Sequence, residues 1–213
     1  MLELKNVSGT GKKSCLKDIS FELPAGYILG ITGENGAGKT TLLRTIFGEK
    51  TYTGTILLQG TDVSSMGAKR KEKMALVSEE AEFFRDRSVL TNGDMLGGLY
   101  EHWDAELFHT TLRRMELPVR NALRNLSRGE FMKFQIAFAM AHHARLYLLD
   151  EVTAGMDPVF RMEFYQILRE IVRDETASVI LTTHMADEAK RNLDYIAGMK
   201  GGCLENFAEN WEV

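Results

Sequence analysis

The chain has 213 residues, 26 Lys plus Arg against 30 Asp plus Glu, and a formal net charge of −4. Such mild acidity argues against a dedicated nucleic-acid binder, which needs a basic face to displace counterions from phosphate, so no nucleic-acid partner is expected. No run of about 18 apolar residues occurs, so no membrane-spanning helix is predicted, and the 44% hydrophobic fraction is that of an ordinary globular domain.

Met1-Leu2-Glu3-Leu4-Lys5 has no apolar signal core, which predicts no secretory leader. Leu2 and Leu4 flank Glu3, and Ile19, Phe21 and Leu23 enclose Ser20 and Glu22. This period of two predicts antiparallel strands with one wet face. Cys15 and Cys203 match no metal or redox spacing, as expected in a reducing cytosol. Tyr27-Ile28-Leu29-Gly30-Ile31 is apolar on both faces and predicts a strand inside a parallel sheet.

Gly33-Glu34-Asn35-Gly36-Ala37-Gly38-Lys39-Thr40 follows that strand and fits the P-loop spacing. Glycines let backbone N–H groups curl around phosphate, and the helix that follows adds its dipole. Gly33, Asn35, Gly36, Gly38, Lys39, Thr40 and Thr41 are therefore the candidate phosphate-binding residues. Lys39 is assigned to the β- and γ-phosphates and the Thr40 hydroxyl to Mg²⁺. The run Lys69-Arg70-Lys71-Glu72-Lys73 reads as a solvated helix face.

Residues 80–145 carry no strand pattern and read as helical. Asp104 is placed as a cap for a helix with Leu107, Phe108, Leu112 and Met115 on one face, and Gly129 to His142 is apolar almost all round. Adjacent helical positions point apart, so His142 and His143 do not form a metal pair. The apolar strand Leu146-Tyr147-Leu148-Leu149 ends in Asp150-Glu151. Carboxylates at that end of a parallel strand lie on the ligand side of the sheet. Asp150 suits Mg²⁺ and Glu151 suits polarising an attacking water, which favours hydrolysis over kinase chemistry. Asp157-Pro158 opens another helix, Val179-Ile180-Leu181 is a third buried strand, and Lys200-Gly201-Gly202 is a turn between two short strands.

Leu126-Ser127-Arg128-Gly129-Glu130, between the P-loop and Asp150-Glu151, completes an order of motifs that resembles the ATP-binding-cassette (ABC) ATPases. The resemblance spans the whole chain. It implies one α/β domain, 1–213, with the P-loop NTPase fold of that family. A RecA-like core and an N-terminal antiparallel β-subdomain would comprise 1–79 and 146–213, and a helical subdomain 80–145. By resemblance Asp157 is the D-loop residue and His184 the switch histidine at the γ-phosphate. Glu79 stands at the Q-loop, associated with Mg²⁺. Ser127, Arg128, Gly129 and Glu130 are the signature, facing the ATP of a second cassette. ATP and Mg²⁺ are the implied cofactors. The implied partners are a second ABC ATPase subunit and an integral membrane permease, which would hold the chain on the inner face of the cell membrane.

Three departures stand out. Arg128 and Glu130 replace Gly and Gln of the usual signature, and Glu79 replaces Gln. Arg128 is expected to face solvent or, half as often, the opposite phosphate. Val7 to Lys13 offers no aromatic to stack on adenine, so ATP and GTP are expected to bind alike. These tolerances resemble export-type bacterial systems, so export is the expected direction. Two alternatives stay open at this point: a soluble non-transport member, such as an iron–sulfur assembly ATPase, and a non-catalytic regulatory cassette.

Overall fold

The computed structural model describes residues 1–10, 16–154, 156–184 and 192–210. Cys15 and Gly11–Lys13 lie outside the described residues.

The period-two segments form an antiparallel sheet. In it β1 (Leu2–Gly9) pairs with β2 (Ile19–Leu23) and β4 (Tyr52–Leu58), and β5 (Thr61–Asp62) closes the edge. The two-sided apolar segments form a second sheet. Its β3 (Ile28–Thr32), β6 (Met74–Val77), β7 (Leu146–Asp150), β8 (Ser178–Thr183) and β9 (Tyr195–Lys200) are parallel. An antiparallel edge strand, β10 (Cys203–Glu209), returns through the Gly201-Gly202 turn, giving the order β10-β9-β3-β8-β7-β6.

Both faces of this sheet's central strands β3, β7 and β8 are buried, which is why these strands lack alternation. Leu29, Ile31, Leu146, Leu148 and Ile180 share one core with the antiparallel sheet and with Leu42, Leu43 and Ile46 of α1 (Lys39–Ile46). Tyr147, Leu149, Val179 and Leu181 face a second core that continues into the helices.

After the short α2 (Lys69–Lys73), which buries none of its residues, and β6, the segment 80–145 has no strand among the described residues. One isolated bridge joins Ser88 to Ala122. It holds α3 (Val89–Gly97), α4 (Ala105–Arg114) and α5 (Arg128–Ala141). Asp104 caps α4 through the Leu107 N–H at 2.8 Å. Phe131, Phe134 and Phe138 of α5 are buried, and Phe83, Trp103 and Phe108 pack on them edge-on or tilted. The last helix, α6 (Pro158–Val172), starts at a proline and is capped by Asp157, whose carboxylate accepts the Phe160 N–H at 2.9 Å. That bond holds the Asp157 carboxyl below the usual carboxylate range.

Candidate functional site

A cavity of about 300 Å³ opens at the carboxyl ends of β3, β6 and β7. Asn35, Gly36, Gly38, Lys39, Thr40 and Thr41 line one wall, and Asp150 and Glu151 another. Glu79 and Arg128 stand at the same cavity. The strand-end rule for open parallel sheets puts ligands at this edge.

The loop between β3 and α1 is shaped by close approach and by a left-handed turn. A Cβ on Gly33 would lie 2.3 Å from the Met199 carbonyl oxygen. Gly38 caps α1 at φ 114°. Lys39 is only 4% exposed, and its ammonium donates to the carbonyls of Gly33 at 2.8 Å and Glu34 at 3.1 Å. The same ammonium lies 3.5 Å from Glu151 Oε1. His184 Nε2 meets that oxygen at 2.6 Å. Lys39, Glu151 and His184 therefore converge on one carboxylate oxygen.

Asp150 and Glu151 are oriented by a residue the motifs do not reveal. The buried Thr182 of β8 accepts the Glu151 N–H at 2.9 Å and donates to Asp150 Oδ1 at 2.9 Å. Its only sequence signal is its place two residues before His184.

Thr40 and Asp150 supply hard oxygen donors at one cavity, and the described residues contain no cluster of three or more His, Cys, Asp or Glu able to hold a metal alone. A donor set this sparse suits Mg²⁺, which keeps water and phosphate oxygens as its other ligands.

The signature forms the N-terminus of α5. Ser127 Oγ accepts the Glu130 N–H at 3.2 Å, and Glu130 Oε2 accepts the Ser127 N–H at 2.7 Å. This capping box explains Glu130, since Glu and Gln serve equally at that position; the Ser-x-x-Glu spacing could have predicted it. Ser127 keeps its own hydroxyl proton to donate elsewhere. A Cβ on Gly129 would meet nothing within 4 Å, so none of the described residues requires a glycine there.

Arg128 is partly exposed and has a partner within the chain. Its guanidinium Nε pairs with the carboxylate of Glu79 in the same chain. A second tie lies beside the first. Gln135 of α5 accepts the Ser78 N–H at 3.0 Å and donates to the Ser78 carbonyl at 2.9 Å.

A family model described as "ABC transporter" matches residues 16–154. The chain is 29% identical over 214 residues to the ABC transporter ATP-binding protein YtrB of Bacillus subtilis, covering 98% of this chain and 72% of that one. It is 29% identical over 224 residues to the methionine import ATP-binding protein MetN of Clostridioides difficile, covering 100% and 70%. A dimeric ATP-binding cassette solved in a post-hydrolysis state with ADP and Pi superposes with a TM-score of 0.86 at 21% identity, covering both chains fully. That likeness establishes the fold. The direction printed for the methionine relative is import. Export, expected from Glu79 and the altered signature, gains no support from it.

Proposed function

The chain belongs to the ABC transporter family and is an ATPase, and on that premise we propose that it powers a separate membrane-spanning subunit. The observation carrying the catalytic assignment is the convergence of Lys39 and His184 on Glu151 Oε1. Glu151 accepts a proton from the attacking water, and His184 holds that carboxylate until a γ-phosphate arrives to take its Nε2 contact. Lys39 gives up its loop carbonyls for the β- and γ-phosphates. Thr40 and Asp150 would hold Mg²⁺, which would supply positive charge to offset that of the phosphates.

Ser127 and the first-turn amides of Arg128 and Gly129 serve the ATP of a second cassette. Those amides have no intrahelical acceptor, and a helix N-terminus favours an anion. The unobstructed space at Gly129 supports this assignment. Phe84, Met95 and Leu99 are 47, 49 and 72% exposed, and we assign them to the docking surface for the membrane partner. No helix among the described residues is long and apolar enough to cross a bilayer, which is why the pore is assigned to another chain. Import, the direction printed for the methionine relative, replaces export in this reading. The transporter names of the relatives favour it over a non-transport ATPase.

Glu151→Gln tests the assignment. It removes the base but keeps the shape of the side chain, so ATP turnover should vanish while ATP drives a stable dimer visible by light scattering. Turnover at the parent rate in that variant removes Glu151 from its role.

A further inference from the structure

We infer that Thr182 is a positioning residue for ATP hydrolysis, its hydroxyl setting the directions of the two adjacent carboxylates Asp150 and Glu151.

The strand β7 ends at Asp150, and Asp150 is the register partner of Thr182 on β8. Beyond that pair the backbone turns away from the sheet. Glu151 takes a left-handed conformation at φ 51°, which a non-glycine residue adopts only when its surroundings enforce it. The enforcement is visible. The Glu151 N–H donates to Thr182 Oγ1 at 2.9 Å, and the Glu151 carbonyl accepts the Ala154 N–H at 3.1 Å.

A hydroxyl has one proton and two lone pairs. One lone pair of Thr182 is taken by the Glu151 N–H. The proton has two acceptors in reach, Asp150 Oδ1 at 2.9 Å and the Leu149 carbonyl at 3.5 Å, and the shorter, charge-assisted contact is the stronger. Thr182 is fully buried, so no water competes for either bond. The chain of contacts therefore runs from the Glu151 amide through one hydroxyl to the Asp150 carboxylate. It fixes Asp150 with one oxygen engaged and the other free for the cavity. It also fixes the backbone from which the Glu151 side chain departs toward Lys39 and His184.

Valine is nearly isosteric with threonine but can neither accept the amide nor hold the carboxylate. Serine can do both. The inference rests on the assignment of Asp150 to the metal and Glu151 to the water, so Asp150→Asn and Glu151→Gln are measured alongside. Thr182→Val should lower kcat about 10- to 100-fold with the KM for ATP changing less than about threefold. Thr182→Ser should recover most of the loss. The second readout is Mn²⁺ affinity with a non-hydrolysable ATP analogue, read by electron paramagnetic resonance. It should weaken about tenfold in Thr182→Val and recover in Thr182→Ser. Thr182→Ala, which also lacks the hydroxyl but has less bulk, replaces the valine variant if that one does not fold.

Parent kcat and parent Mn²⁺ affinity in a folded hydroxyl-free variant overturn the inference, as does a lowered unfolding midpoint with unchanged Mn²⁺ affinity. If Asp150→Asn and Glu151→Gln themselves retain activity, the underlying assignment fails instead.

Discussion

Arg128 and Glu79, two of the three residues that differ in charge from the usual motifs, are each other's partner across the mouth of the nucleotide cavity. The pair joins the first residue of α5 to the segment after β6. A carboxylate in place of an amide beside a triphosphate costs binding energy, and the guanidinium offsets that charge. Both side chains are about half exposed, so the pair adds little to stability, under about 1 kcal/mol.

Removing only the cation should expose the penalty. Arg128→Ala leaves Glu79 uncompensated and should raise the KM for ATP about three- to tenfold. Adding Glu79→Gln removes the charge and should restore the KM. Steady-state kinetics of the two single variants and the double variant check this. Losses that simply add in the double variant would show that the two residues act separately.

Gly129→Ala separates folding from assembly. In the free chain the added methyl has open space, and alanine is the better helix former, so unfolding free energy should stay level or rise by up to about 1 kcal/mol. ATP-driven dimerisation of the Glu151→Gln background should fail, because the methyl occupies the space assigned to the second cassette's phosphate. Dimerisation by light scattering and urea unfolding on the same protein decide the matter.

His142 predicts an acid-sensitive fold. It is buried and stacked on Tyr100 with ring centroids 4.4 Å apart, and burial pushes its pKa down from 6.5 to about 4. Between those values the unfolded chain binds a proton that the folded chain refuses. Its contribution to stability is therefore complete above about pH 6.5 and falls away toward pH 4, reaching a loss of about 2 kcal/mol by pH 5. His142→Phe keeps the ring and removes the titration. The unfolding free energies from urea titrations near neutrality and near pH 5 should therefore differ by that much less than in the parent.

Base discrimination should be slight. No aromatic side chain lines the described cavity, leaving the phosphates to supply the recognition. ATP and GTP should compete within about threefold, since no base-specific bond is lost on exchange. A strong ATP preference in a competition assay would point to the segment 11–15.

What was legible in the sequence was local. The glycines and Lys39, the acids closing β7, and the caps Asp104 and Asp157 each carry their reason within a few residues. Two strands gave weaker signals. The middle of β4, Thr53-Gly54-Thr55, has no apolar residue to mark a period, and its pairing to β1 shifts register between Lys5 and Ser8. With only four residues after a charged helix, β6 is too short to show one. The contacts that join motifs were not legible. Glu79 meets Arg128, and Thr182 meets Asp150 and Glu151, because strand order and helix packing bring distant segments together. No periodicity encodes such a meeting.

The reciprocal bonds between Gln135 and the Ser78 backbone tie the end of β6 directly to α5. Gln135 is 3% exposed, and its amide extends the end of β6 onto α5 like one more rung of a ladder. Downstream, the fully buried Asn92 grips the Phe84 N–H and carbonyl at 3.0 and 3.1 Å. Together these bonds link Phe84, in the proposed docking surface, to the helix that opens after Ser127.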